Sequence, residues 1–349
     1  MASIKLRLFA VTSAVGFGVV LSAGCGGGGS STPPSSSPTP PTSKYYSISD
    51  LGQSFDILYP LKINDLGNVC GQDHRYQVAM ANVNSVSYHL ASIGGAHSAA
   101  MAINNNNAMT GWGDLSTAGE EDIAWFQGST ASDAGSLGFW NNTAGFPKAV
   151  RGTGINDSGD IVGVAIDSSL KDHAVIHTGL FTSDLGIAGD SSFAMDINNN
   201  RQITGGAFDS TGESAFLYPL GGPVTFIGPG YGAAINNLGD VAIVNGAGSS
   251  LYKGGVSTPI PLLAGATSMV AADINDDDVV VGLVDIPGGN TRGFIFANGV
   301  TKNMNALIDP ASGWGIISAS SINKPGQIVG FAMYKGQRHA YLLTPPPTT

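Results

Sequence analysis

The clearest pattern of apolar and polar positions in this chain is a short apolar run that ends in Ile-Asn, breaks for a polar turn and resumes as an apolar strand. Its fullest copy reads Ile155-Asn156-Asp157-Ser158-Gly159-Asp160-Ile161-Val162-Gly163. Asn opens a type I turn, and Gly closes it three residues later, where a left-handed backbone costs Gly nothing. Gly67, Gly159, Gly239 and Gly326 hold that closing place; Asn107 and Asp278 are tolerated substitutes, and Arg201 is a departure. Apolar residues return at Val69, Met109, Ile161, Ile203, Val241, Val280 and Ile328. The pattern predicts a β-hairpin at each copy.

The copies centre on Asn64, Asn104, Asn156, Asn198, Asn236, Asn275 and Asn323, a mean period of about 43 residues, which is that of a four-stranded propeller blade. A glycine recurs seven residues past the Asn at 71, 111, 163, 205, 282 and 330, and the fifth copy has Ile243 instead. Cys70 falls in a column held elsewhere by Thr110, Val162, Thr204, Ala242, Val281 and Val329, so it reads as a core residue. A second hairpin follows each turn, as in His173-Ala174-Val175-Ile176 and His339-Ala340-Tyr341-Leu342, and then a strand ending in Leu-Gly or Ile-Gly. Each unit therefore carries four short strands. The N-terminal Tyr46-Ser47-Ile48-Ser49-Asp50-Leu51-Gly52 matches the fourth strand Phe181 to Gly186, whereas the chain ends on a third strand. The expected fold is all-β: residues 44–349 form a seven-bladed β-propeller of four-stranded blades, closed by the N-terminal strand. An open β-solenoid is the alternative.

These units resemble the bacterial extracellular HAF repeat family, named for its His-Ala-Phe strand, and the match covers most of Lys44 to Leu343. Only two units keep the His, as His-Ala-Val and His-Ala-Tyr, and Ile-Asn-x-x-Gly is the more specific signal. The resemblance implies a compartment and an architecture; it implies no catalytic residue.

Lys5 and Arg7 precede an apolar run, Leu8 to Ala23, of secretory length. It ends in Leu21-Ser22-Ala23-Gly24-Cys25, which resembles the lipobox of bacterial lipoprotein precursors and implies cleavage before Cys25 and acylation of its thiol. Residues 1–24 then form a signal peptide, and Gly at 26 leans the address toward the outer membrane. Residues 26–43, rich in Gly, Ser and Pro, lack the large apolar side chains that would offset the entropy of ordering and read as a linker. The mature chain loses Lys5 and Arg7, taking the formal charge from −10 to −12, so the lipid is the expected hold on the membrane. With Cys25 acylated, Cys70 has no partner, and a monomer without disulfides is expected.

Composition narrows the function classes. Charged residues are 11 % of the chain and the balance is acidic, which excludes the basic stripe that nucleic acid requires. Glu occurs only at 120, 121 and 213, against a helical fold. Turns after the Ile-Asn and His-Ala-Phe strands are tight and share one face; crossovers and loops after the second strand are long and share the other, where function is expected. That irregular face collects Trp112, Glu120, Glu121, Trp140, Arg151 and Trp314, a mixture suited to a polysaccharide or an extended peptide. Adjacent Glu120 and Glu121 do not converge on one bond as an acid–base pair. The six His show no zinc spacing, and Asp276-Asp277-Asp278 lacks the alternating acids of a calcium loop, so neither a metal nor another cofactor is expected. The reading favours a binding or scaffolding module; a propeller hydrolase or lyase acting on polysaccharide is the alternative.

Overall fold

All seven Ile-Asn turns fold into the same hairpin in the computed structural model, which describes residues 44–347 except 117–120, 129, 135–150, 168, 170 and 180. The amide of the closing residue donates to the Asn carbonyl, as from Gly67 to Asn64 at 3.0 Å and from Arg201 to Asn198 at 3.1 Å. The Asn side-chain Oδ1 accepts the amide four residues on, as from Asn68 at 2.9 Å. Every closing residue has a left-handed backbone, including Asn107 (φ 59°), Arg201 (φ 58°) and Asp278 (φ 57°). Arg201 thus fills the place usually held by Gly, and its guanidinium is held by both carboxylate oxygens of Asp160, at 2.7 and 2.9 Å.

Each hairpin extends outward into a four-stranded antiparallel sheet, and seven such sheets stand around an axis, so the fold is a seven-bladed β-propeller. The third blade, for example, runs outward through Arg151–Ile155, Ile161–Ile166, Asp172–Thr178 and Phe181–Asp184. The innermost strand of each blade is the one ending in Ile-Asn. In the seventh blade, Trp314–Ile322, Ile328–Tyr334 and Gln337–Thr344 are completed by Ser47–Gly52, which pairs antiparallel with the third of them, Ser47 opposite Thr344 and Asp50 opposite Tyr341. The first and last parts of the propeller are joined by strand pairing, as the repeat order predicts.

The apolar core is not central. It is divided into seams between neighbouring blades, one for each of the seven neighbouring pairs. Cys70 lies fully buried in the seam between blades 1 and 2 with Ala100, Met109 and Phe126, and burial pushes its thiol up to about 12. The closing seam packs Phe55, Leu61 and Met80 of the first blade against Val329, Phe331 and Ala340 of the last.

The recurring glycine has a steric cause. In blades 2 to 7 the inner strand carries a β-bulge two residues before its Ile, as between Gly152 and Gly154. The bulge turns a carbonyl against the second strand: a Cβ on Gly163 would lie 1.9 Å from the Arg151 carbonyl oxygen, and one on Gly111 would lie 1.9 Å from that of Ala99. Gly163→Ala should therefore destabilise the propeller by about 3 kcal/mol or more, since only backbone movement relieves the clash. Chemical denaturation checks this, and a change below about 1 kcal/mol would contradict it.

Candidate functional site

The axis is lined by polar groups arranged in layers. At the mouth, on the tight-turn face, each buried Asn of the repeat donates its Nδ2 to the backbone carbonyl of the Asn in the next blade. The links run Asn64 to Asn104 (2.9 Å), Asn104 to Asn156 (2.9 Å), Asn156 to Asn198 (3.4 Å), Asn198 to Asn236 (2.8 Å), Asn236 to Asn275 (3.1 Å) and Asn275 to Asn323 (3.2 Å). Asn323 returns to Asn64 at 2.9 Å and closes the circle.

A second circle lies on the next residue. The amides of Asp65, Asn105, Asp157, Asn199 and Asn237 each donate to the side-chain oxygen of the following blade's equivalent, and Lys324 donates to Asp65. The one remaining step, from Asp276 to Lys324, has no side-chain oxygen to accept; there the Lys324 ammonium lies 4.0 Å from the Asp276 carboxylate instead.

Beneath these circles is a cavity of about 170 Å³, lined among others by Lys62, Asp196, Asp273, Thr153 and Ser321. Lys62, Asp196, Asp273 and Ser321 occupy one register, two residues before the Asn, where the other blades have Ala102, Gly154 and Ala234. Lys62 lies 3.5 Å from Asp273. Burial opposes its charge, but Asp273 and Asp196 outweigh burial and hold its pKa above the ordinary value. Asp273 also accepts from the amides of Ile274 and Ile322, at 2.9 and 3.2 Å, and from the Ser321 hydroxyl. Burial pushes the Asp196 carboxyl up to about 6; the Asp273 charge adds to the rise, while Lys62 and the amides of Ile235 and Ile197 oppose it. As the Asp196 carboxyl ionises across mildly acidic pH, the cavity gains one negative charge. Among the described residues, no three His, Cys, Asp or Glu side chains converge as metal ligands.

Of the residues singled out in the sequence, Trp112, Glu121 and Arg151 come together on the irregular face, and Trp314 lies apart from them. Trp112 is 5 % exposed and packs with Ala99, Met101 and Tyr59, its ring 5.9 Å from that of Tyr59. Arg151 covers Trp112, 5.4 Å from the ring centroid, and donates to Glu121 at 2.9 and 3.1 Å. Trp112 therefore presents no open face, and the Glu121 carboxylate is already engaged by Arg151. Trp314 lies elsewhere, in the seventh blade, half-buried and stacked parallel on Tyr334 at 4.3 Å, with His339 edge-on to both. Cys25, Glu120 and Trp140 lie outside the described residues.

The His of the His-Ala-Phe strand also acquires a role. His173 and His339 each meet the Asp of the neighbouring Asp-Leu-Gly strand at 2.9 Å, Asp184 and Asp50 respectively. The same carboxylates accept the amides of Gly186 and Gly52. The pair fastens the third strand to the fourth.

Comparison with protein-family models and with curated proteins gives no match. Solved structures do match. A streptogramin B lyase aligns with a TM-score of 0.50 at 11 % identity, over 87 % of this chain and 99 % of the lyase. Virginiamycin B lyase from Staphylococcus aureus aligns at 0.47 and 12 %, over 86 % and 99 %. The β-propeller domain of the Trilobed protease from Pyrococcus furiosus aligns at 0.48 and 9 %, over 86 % and 95 %. The chain is similar to the streptogramin B lyase in fold; at such identity nothing about chemistry follows.

The raised Asp196 pKa has a stability consequence. A carboxyl whose folded pKa exceeds its unfolded value of about 3.9 contributes most below that value and loses the contribution as pH rises through about 6. Between pH 4 and pH 7 the stability of Asp196→Asn relative to wild type should move in the variant's favour by an amount on the order of 2 kcal/mol. Denaturant titrations at several pH values measure this; a difference constant with pH would refute it.

Proposed function

We propose that the protein is an envelope lipoprotein of the HAF repeat type, acylated at Cys25, whose propeller is a binding or scaffolding module for polysaccharide or protein ligands. Its contact surface is the irregular face, around Trp314. The observation that carries this reading is the stacked Trp314–Tyr334 pair, flanked by His339, Asp50 and Gln53, an aromatic platform with polar groups at its edge. Such a platform suits the apolar face of a sugar or an extended peptide.

The acids of that face support binding over turnover. Glu121 is engaged by Arg151, and Asp50, Asp73, Asp114 and Asp184 each pair with a His. Side chains committed to holding loops and strands are poorly placed to shuttle protons to a substrate.

The test is retention of the purified protein on a panel of immobilised polysaccharides. Trp314→Ala should weaken retention about tenfold, as expected of a central aromatic contact, and should cost stability only modestly. Trp112→Ala should instead cost about 3–5 kcal/mol of stability, as a buried side chain does. Unchanged retention in Trp314→Ala would remove the platform from the proposal, and release of reducing ends or unsaturated products would establish the hydrolase or lyase.

A further inference from the structure

The axial cavity holds negative charge that its own side chains leave uncompensated. Five carboxylates border it, those of Asp65, Asp157, Asp196, Asp273 and Asp276, against the ammonium groups of Lys62 and Lys324. Among the described residues, no other titratable side chain lines it. In the inner register Lys62 stands in blade 1, Asp196 in blade 4 and Asp273 in blade 6. Lys62 is taken by Asp273, at 3.5 Å. Asp196 has no ion-pair partner among the described residues. Its Oδ1 accepts the amide of Ile197 and its Oδ2 that of Ile235, at 2.9 and 3.0 Å, which leaves a lone pair on each oxygen.

The fold leaves room beside that carboxylate. Blades 2, 3 and 5 place Ala102, Gly154 and Ala234 in the same register, and a Cβ on Gly154 would lie 3.1 Å from Asp196 Oδ1. The neighbouring Thr153 gives its hydroxyl proton to a backbone carbonyl, Ala194 at 2.9 Å or Val162 at 3.2 Å, and keeps its lone pairs for a donor. At the mouth, Asp157 Oδ2 already accepts from Asn105 and Asn199. Asp276 Oδ2 is less engaged: it accepts from Asn237 at 3.2 Å and lies 4.0 Å from the Lys324 ammonium. Asp196 lies two residues before its Asn and Asp276 one residue after its own, so the two levels are separated by about 10 Å of strand or less.

From these observations we infer that the axial cavity binds a short α,ω-diamine, one ammonium held by Asp196 and Thr153 and the other turned toward Asp276 at the mouth. A metal ion is a point charge and needs ligands that converge, which no three acidic side chains here do. Negative charge on two levels instead matches a chain with a cation at each end. The cavity of about 170 Å³ equals the liquid volume of about five or six waters, the size of a diamine with a few methylenes. Burial disfavours the Asp196 charge and pushes its pKa up to about 6; an ammonium beside it supplies a countercharge. The site is separate from the Trp314 platform, and neither reading depends on the other.

Equilibrium dialysis of labelled putrescine against the purified full chain, at low salt and pH 7, tests this. Saturable binding of one diamine per chain is expected, and Asp196→Asn should weaken it about tenfold or more. Asp190→Asn removes the same charge from an exposed bend and should leave binding unchanged, as should Trp314→Ala. Butylamine, with a single charge, should bind about fivefold less tightly. In the wild type, affinity should fall about tenfold between pH 7 and pH 5, as Asp196, faced by Lys62 and Asp273, takes up a proton. The butylamine contrast and the pH profile need no variant to fold. No saturable binding at millimolar putrescine overturns the site. Binding that survives Asp196→Asn, or that Asp190→Asn weakens equally, assigns the uptake to the acidic surface at large and overturns it too. Butylamine bound as tightly as putrescine overturns the two-ended mode, and displacement by equimolar magnesium chloride overturns the organic ligand in favour of an inorganic ion.

Discussion

The structure depends on one repeated hydrogen bond, from the side-chain amide of each repeat Asn to the backbone carbonyl of the next. A propeller has no core at its centre, because seven inner strands around an axis leave a gap that apolar side chains of ordinary size do not fill. The apolar seams hold neighbouring blades face to face, but each seam acts only between its own pair. The seven Nδ2 links join all blades at one level and one spacing, and the final link, Asn323 to Asn64, is made between residues 259 positions apart. The requirement is strict: the residue must accept the amide four residues on with one atom, joined in five blades by the amide two residues on, and donate outward with another. Among short side chains only Asn does both without charge.

Other constraints follow from that arrangement. For the Asn to sit at the axis, the turn must close within three residues, which imposes a left-handed backbone even on Arg201 and Asp278. The bulge in the inner strand presses a carbonyl onto the second strand and admits only Gly there in most blades. The outer strands are freed from these demands, and so are the loops of the irregular face. The seventh blade uses that freedom for a short crossover in which Asn305 pairs with both backbone groups of Ile316 and brings the chain to Trp314.

Much of this was legible in the sequence. The Ile-Asn spacing gave the blade number, and the likeness of Tyr46–Gly52 to Phe181–Gly186 gave the closing strand. The same residues hid other features. Asn read as a turn opener uses only its Oδ1; the outward bond of its Nδ2 depends on a neighbour about 40 residues away, which periodicity does not reveal. Lys62, Asp196, Asp273 and Ser321 share a column with Ala and Gly, so aligning the units would have marked them as polar exceptions at a position of small residues. Arg151 with Glu121 is a pairing 30 residues apart across a blade boundary, and it converts two candidate ligand contacts into one internal ion pair. Trp112 looked equivalent to Trp314 in the sequence, yet its strand position turns it under Tyr59 and Arg151.

The most direct test of the Asn circle is the thermal unfolding of Asn104→Asp. The carboxylate still accepts the amides of Asn106 and Ala108, so the hairpin is kept, while the bond to the Asn156 carbonyl is replaced by repulsion between two oxygens. The account predicts a midpoint lower by about 3–6 °C at neutral pH, corresponding to roughly 2–4 kcal/mol in a domain of this size. A midpoint equal to that of the wild type would show that the apolar seams alone hold the blades together.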